Sequence, residues 1–180
     1  MKRVFIMIIA LMFLLCFPLL SFAAGKPQPP SSEAFIPPAW SQKLPAADRF
    51  VLVLDGVAVL DKETGLVWER SPDATLMEWF SATIYCYKKD LGVRKGWRLP
   101  TIEELASLVD TSVSTRTKLP SGHPFTNEQS DWYWSSTNYP TNSNPFSWGV
   151  NMGDGVVDNL SRMYTYHVWC VRGGKGYDGY

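Results

Sequence analysis

The stretch Gly96-Trp97-Arg98-Leu99-Pro100-Thr101-Ile102-Glu103-Glu104-Leu105 decides how the chain is read. Pro100 disfavours helix at Leu99. Thr101 then stands at an N-cap with Glu104 three residues on, the S/T-x-x-E capping box. Ile102, Leu105, Ala106 and Val109 follow at helical spacing. The sequence therefore predicts a short amphipathic helix that starts sharply and ends near Asp110. Trp97, just ahead of it, is a candidate core residue.

Outward from that point the same logic places the other elements. Arg49 to Leu54 reads as a strand ending at Asp55-Gly56. Val57 to Leu60 and Leu66 to Glu69 flank the turn Asp61-Lys62-Glu63-Thr64-Gly65 and read as a hairpin. Thr75-Leu76-Met77-Glu78 is a second capping-box pattern, and it predicts a helix from there through Tyr87. Trp79, Ala82, Thr83 and Cys86 fall on one side of that helix. Lys88 and Lys89 in its last turn complement the helix dipole. Thr111 to Gln129 is long and turn-rich. Trp132 to Thr137 reads as a strand, and Phe146 to Met152 with Val156 to Leu160 bracket Gly153-Asp154-Gly155 as a hairpin. Tyr166 to Arg172 is expected to be the closing strand. The fold class is α+β, with two short helices packed on antiparallel hairpins.

The ends of the chain are different material. Lys2 and Arg3 precede an apolar run from Val4 to Leu20, and Ser21-Phe22-Ala23 offers small residues for cleavage. This reads as a secretory signal over residues 1–23, with an uncleaved anchor as the alternative. Cys16 is not a lipoprotein site, because Leu14 and Leu15 stand where small residues are needed. Residues 24–47 are Pro-rich and read as an extended linker, with Phe35 and Trp40 as local docking points. The folded domain is expected over residues 48–174, followed by a loose tail over 175–180. Two of the 17 Lys+Arg lie in the leader, which leaves 15 against 17 Asp+Glu. That balance gives no global attraction to nucleic acid, and no such partner is expected. The localisation expected is periplasm, cell surface or extracellular space.

Cleavage would leave Cys86 and Cys170. Two cysteines in an exported domain suggest one disulfide. The loop-entropy model puts such a bridge at roughly 4–5 kcal/mol. The alternative is a reactive thiol, which needs a nearby base and an electropositive setting.

The islands Asp61-Lys62-Glu63-Thr64-Gly65-Leu66-Val67-Trp68, Tyr85-Cys86, Gly96 to Thr101, Tyr133-Trp134-Ser135-Ser136-Thr137 and Trp169-Cys170-Val171-Arg172 occur in that order. Over about Val57 to Arg172 the chain resembles the Lcl C-terminal domain family, named for a collagen-like bacterial adhesin. The resemblance implies a C-type-lectin-like fold and a secreted or surface binding domain, with adhesion and glycosaminoglycan recognition as the family's best-known activity. The chain carries no collagen-like Gly-X-Y repeats. Arg98 to Thr101 with Val171-Arg172-Gly173-Gly174 also resembles formylglycine-generating enzymes. Those enzymes need two redox-active cysteines close together near the C-terminus, and Cys170 stands alone, so that chemistry is not expected.

The sharpest candidate surface is Asp131 to Asp154, which interleaves Trp132, Tyr133, Trp134, Tyr139, Phe146 and Trp148 with Asn138, Asn142, Asn144 and Asn151. Aromatic faces stack on sugar C–H surfaces, and amides pair with hydroxyls. Alternating aromatics also fill the core of a sheet. Trp134 and Trp148 are assigned mainly to core. Trp132, Tyr133, Asn138, Tyr139, Asn151 and Asp154 are the expected ligand-binding set.

Lys88, Lys89, Arg94, Lys95 and Arg98 form a basic cluster suited to sulfate or carboxylate groups. Its bland alternative is helix capping for Lys88 and Lys89, and an internal pair of Arg98 with Glu103 or Glu104. Asn151, Asp154, Asp158 and Asn159 offer oxygens for calcium, but without EF-hand spacing, so no cofactor is assigned. There is no Cys/His zinc pattern, no G-x-S-x-G and no G-x-x-x-x-G-K. His123 and His167 are isolated, and Glu103 and Glu104 diverge as helix neighbours. The expectation is a non-catalytic domain that binds a glycan or anionic polysaccharide. The alternative is a structural module that contacts another envelope protein. Oligomeric state is left open.

Overall fold

The computed structural model describes residues 44–140 and 145–173. The expected leader, linker residues 24–43 with Phe35 and Trp40, Asn142, Asn144 and the tail lie outside the described residues. The described part is α+β, with two antiparallel sheets and short helices. No helix in it is long and apolar enough to cross a membrane.

The first sheet is formed by β1 (Phe50–Val53), β2 (Ala58–Asp61), β3 (Leu66–Glu69) and β7 (Val171–Gly173), in the order β1-β2-β3-β7. The expected hairpin at Asp61 to Gly65 is present. Asp61 organises it. Its carboxylate accepts the Glu63 N–H at 3.0 Å, and its carbonyl accepts the Gly65 N–H at 2.8 Å. Gly65 has φ 72°, where a Cβ would be strained. A single helical turn, α1 (Ala46–Arg49), precedes β1 and was not foreseen. It delivers Arg49 to Asp61 as a fully buried bidentate pair, with bonds of 2.9 and 2.6 Å. Arg49 also donates to the Ser107 carbonyl at 3.0 Å, tying the first sheet to the helical layer.

β4 (Trp132–Asn138), β5 (Phe146–Asn151) and β6 (Val157–Ser161) form the second sheet. The β5–β6 hairpin lies where expected. At its turn, Asn151 Oδ1 accepts the Gly153 N–H and Asp154 Oδ1 accepts the Val156 N–H.

Helix α2 (Trp79–Lys88) has its N-cap at Glu78, three residues later than the second capping-box pattern predicts. The Asp73 carboxylate captures the Thr75 N–H at 2.8 Å, and Met77 pairs with Tyr166 through bonds of 2.9 and 3.0 Å. A tertiary backbone bridge has displaced the local cap. Ala82 and Cys86 are buried, and Trp79 and Thr83 half-buried, as the periodicity requires.

Helix α3 (Ile102–Ala106) carries the capping box in full. Glu104 accepts the Thr101 N–H at 2.8 Å, and Thr101 Oγ1 accepts the Glu104 N–H at 3.3 Å. The helix stops before Asp110, because that residue's N–H bonds to the Lys118 carbonyl at 2.7 Å. Arg98 grips the same Glu104 carboxylate with both terminal nitrogens, at 2.7 and 2.8 Å, and donates to the Gly173 carbonyl at 3.0 Å. Burial alone would raise the Glu104 carboxyl. The bonds from Arg98 and Thr101 outweigh it and hold the group below its usual range.

The expected closing strand is the main correction. Only Val171–Gly173 joins a sheet as a strand. Upstream, Tyr166 bridges Met77 and His167 bridges Tyr133, so residues 166–170 cross between layers. The disulfide Cys86–Cys170 closes this crossing onto α2, with both cysteines fully buried. One apolar cluster centres on Trp169, which lies edge-on to Trp68 and Phe125 and tilted against Tyr133. The other holds Trp97, Trp134, Leu99, Ala82 and the disulfide.

Two stability measurements follow from this arrangement. Glu104→Ala should lower the urea-unfolding free energy by about 1–2 kcal/mol, because the cap and half of a partly exposed ion pair are lost together. Arg98→Ala should then cost less in that background than in the wild type. The double variant Cys86→Ala/Cys170→Ala should lose about 2–5 kcal/mol. A loss under 1 kcal/mol would show that the crossing holds without the bridge.

Candidate functional site

The second sheet divides the expected aromatic–amide surface into two. Directly paired residues share a face. Trp132 pairs with Asn151, Trp134 with Gly149 and Asn138 with Ser147, which puts these six residues on the α2 side. Tyr133 pairs with Val150 on the opposite side, against α3 and the Trp169 cluster.

Tyr133 is fully buried, so its place in the expected ligand set is corrected. Its hydroxyl accepts the Gln129 N–H at 2.7 Å, and burial pushes its pKa up to about 12. Trp132 is half-buried against the Trp97–Trp134 cluster. Asn138 is exposed but accepts a hydrogen bond from Arg162. Asn151 and Asp154 use side-chain oxygens to hold the β5–β6 turn. Asp158 Oδ1 is bonded by its neighbour Asn159. Among the described residues no three His, Cys, Asp or Glu side chains cluster in a metal-holding arrangement.

Tyr139 belongs to the other face and gathers residues that sequence reading had set aside. Its ring stands edge-on to Trp148, with centroids 5.0 Å apart, and to Phe146 at 6.4 Å. Trp148 pairs across the strands with Asn159. Along β5 the alternate residues run from fully buried Val150 to half-buried Trp148 and Phe146. The sheet face thus emerges from the core as a shelf of three aromatic rings with an amide beside it. Trp148 was assigned to the core, and here it is half-exposed. Strand alternation alone would place Trp148, Phe146 and Val150 on one face. It does not say how far along that face the cover extends.

On the α2 side a second group forms around Arg162. Its guanidinium lies 3.6 Å from the Trp79 ring centroid, and its Nε donates to Ser147 Oγ at 2.8 Å. Trp79 Nε1–H donates to the Ser135 carbonyl at 2.8 Å. These bonds make Trp79 and Arg162 a clasp between α2 and the sheet.

The basic cluster also separates. Arg98 is held by Glu104, as one of the bland alternatives required. Lys89 turns inward, pairing with Glu69 and lying 4.4 Å over the Tyr85 ring, where its ammonium also bonds to the phenol oxygen at 2.9 Å. Burial works against its charge. The Glu69 and Tyr85 contacts prevail and raise its pKa. Lys88, Arg94 and Lys95 remain exposed. They sit at the end of α2 and in the loop after it, across the second sheet from the shelf.

A family model, the Lcl C-terminal domain, matches residues 57–172. The chain belongs to the Lcl C-terminal domain family. No curated protein matches it. The matched span of this Lcl C-terminal domain contains the capping box, both cysteines, the shelf and the Arg162 clasp.

Both histidines lie at the edge of the Trp169 cluster. His123 is tilted on Phe125, and His167 on Tyr133. Burial pushes both below the usual imidazole range, with Glu128 and Asp131 pulling weakly the other way. The folded state therefore resists their protonation. Their contribution to stability is complete above about pH 6.5 and is lost as pH falls through that value toward the lower folded pKa values. The melting temperature should be flat from pH 8 to 7 and drop between pH 6.5 and 5. His123→Gln/His167→Gln should flatten that drop in a calorimetric pH series. An unchanged slope would assign it to other groups.

Proposed function

We propose that this is an exported, non-catalytic binding domain of C-type-lectin-like character that recognises a glycan through the Tyr139–Phe146–Trp148 shelf. The observation that carries the reading is the half-exposed Trp148, with Tyr139 edge-on at 5.0 Å and Asn159 as its cross-strand partner. Ring faces of this kind match the C–H faces of a pyranose, and an amide supplies a donor and an acceptor for its hydroxyls. Phe146 and Trp148 stand on β5, and Tyr139, one residue past β4, is tied to it by its N–H bond to the Phe146 carbonyl at 3.2 Å, which lowers the ordering cost of binding. The family resemblance, with its adhesin background, points the same way. An exported location suits the buried disulfide, because such bonds persist in oxidising compartments.

The reading amends the sequence-based site. Trp148, Phe146 and Asn159 join Tyr139, while Tyr133 leaves. Trp132 and Asn138 face the other side of the sheet. Arg98 and Lys89 are committed to internal pairs.

A glycan and glycosaminoglycan array, run with calcium and with EDTA, tests this. Trp148→Ala and Tyr139→Ala should each weaken binding of any selected glycan by roughly tenfold, the cost of one stacking contact of about 1–1.5 kcal/mol. Near-UV circular dichroism should show the remaining core intact. Selective binding that survives both substitutions would move the site off the shelf. A clean negative with folded, disulfide-bonded protein would overturn the glycan reading.

A further inference from the structure

Helix α2 is apolar on two sides. Its inner side buries Ala82 and Cys86. Phe80, Ile84 and Tyr87 recur at i, i+4 and i+7 on the outer side, where Phe80 is 70 % exposed and Tyr87 76 %. A surface helix ordinarily turns a polar face outward. Beyond the helix, Leu91-Gly92-Val93-Arg94 closes a tight turn with two backbone bonds of 3.2 Å. Gly92 and Val93 both adopt the left-handed conformation, at φ 62° and 56°. Such turns favour Asn and Gly. A β-branched residue there is strained, and this one is 91 % exposed. Strain retained at an exposed apolar tip is a mark of use rather than of packing.

Charge identifies the occupant. Around the helix's C-terminal end and the turn, the exposed cations are Lys88, Arg94 and Lys95 against the carboxylate of Asp90, while Glu78 is exposed at the helix's N-terminal end. Lys89 is spent on Glu69. Exposed aromatic and aliphatic side chains flanked by lysine and arginine match the boundary of an anionic bilayer, where rings sit among headgroups and cations meet lipid phosphate.

We propose that the outer side of α2 and the 91–94 turn dock the domain onto an anionic membrane surface, with Phe80, Tyr87 and Val93 entering the interface. This surface lies across the second sheet from the shelf, and it stands or falls independently of glycan binding. A docked domain would keep the shelf directed away from the lipid.

Hydrogen–deuterium exchange of protein purified from the envelope of expressing cells tests the proposal residue by residue. Vesicles of phosphatidylcholine with phosphatidylglycerol should slow exchange over residues 79–95, and vesicles of phosphatidylcholine alone should not. Lys88→Glu/Arg94→Glu/Lys95→Glu should reduce this protection at least tenfold, and high salt should do the same. Val93→Gly is the decisive variant. It removes the strain, so the protein should melt higher while its vesicle protection weakens. No slowing over 79–95 on anionic vesicles would overturn the proposal, as would equal slowing on neutral ones. Protection by heparin or by an envelope protein extract without any by vesicles would also overturn it, in favour of a polysaccharide or protein partner.

Discussion

Between Tyr166 and Gly173 the backbone bonds in turn to Met77, to Trp132 and Trp134, to Glu69, to Arg98 and to β3. A buried polar backbone must find partners, and this segment finds them in both sheets and in the loops beside α2 and α3. Trp169 and Cys170 in the middle of it anchor the two apolar clusters. Neither sheet is large: one has four short strands and the other three. The crossing segment lets each sheet use the other as its cover. The disulfide to α2 fixes its middle, and the Arg98 bond to the Gly173 carbonyl fixes its C-terminal end.

That dependence explains why charged groups lie so deep. Arg49 and Asp61 are both fully buried, and Glu69 and Lys89 nearly so. Burying charge is expensive unless the partners are well placed. Each of these pairs joins elements distant in sequence: α1 to the β2–β3 turn, and the end of β3 to the end of α2. The same pairing turns Lys89 inward and ties Arg98 to Glu104, which leaves a smaller basic group beside an apolar helix face.

Much of this was legible in the residues. The Thr101–Glu104 box formed because its donors and acceptors are local, and Arg98 binds the Glu104 carboxylate without displacing the Thr101 N–H. The hairpins around Gly65 and Gly153-Asp154-Gly155 followed from turn chemistry. The Thr75–Glu78 pattern is identical in form and failed, because Met77 had a better bond to make with Tyr166. In the aromatic segment Trp134 is buried and Asn138 exposed as expected, whereas Tyr133 is buried and Trp148 half-exposed against expectation. Tyr133 and Trp148 alternate correctly along their strands. What differs is how far α3 and the Trp169 cluster extend over that face.

By itself, then, the sequence determined the α+β class, the sharp start of α3, the inward side of α2, the two hairpin turns and the cysteine pair. These depend on periods of 2 and 3.6 residues and on contacts within a few positions. Only the tertiary structure decided that residues 166–173 would stitch two sheets rather than complete one. It also decided that Lys89 and Arg98 would be consumed internally, and that Trp148 rather than Tyr133 would meet solvent. Those outcomes turn on competition between distant partners for one hydrogen bond or one patch of cover, and no local pattern encodes who wins.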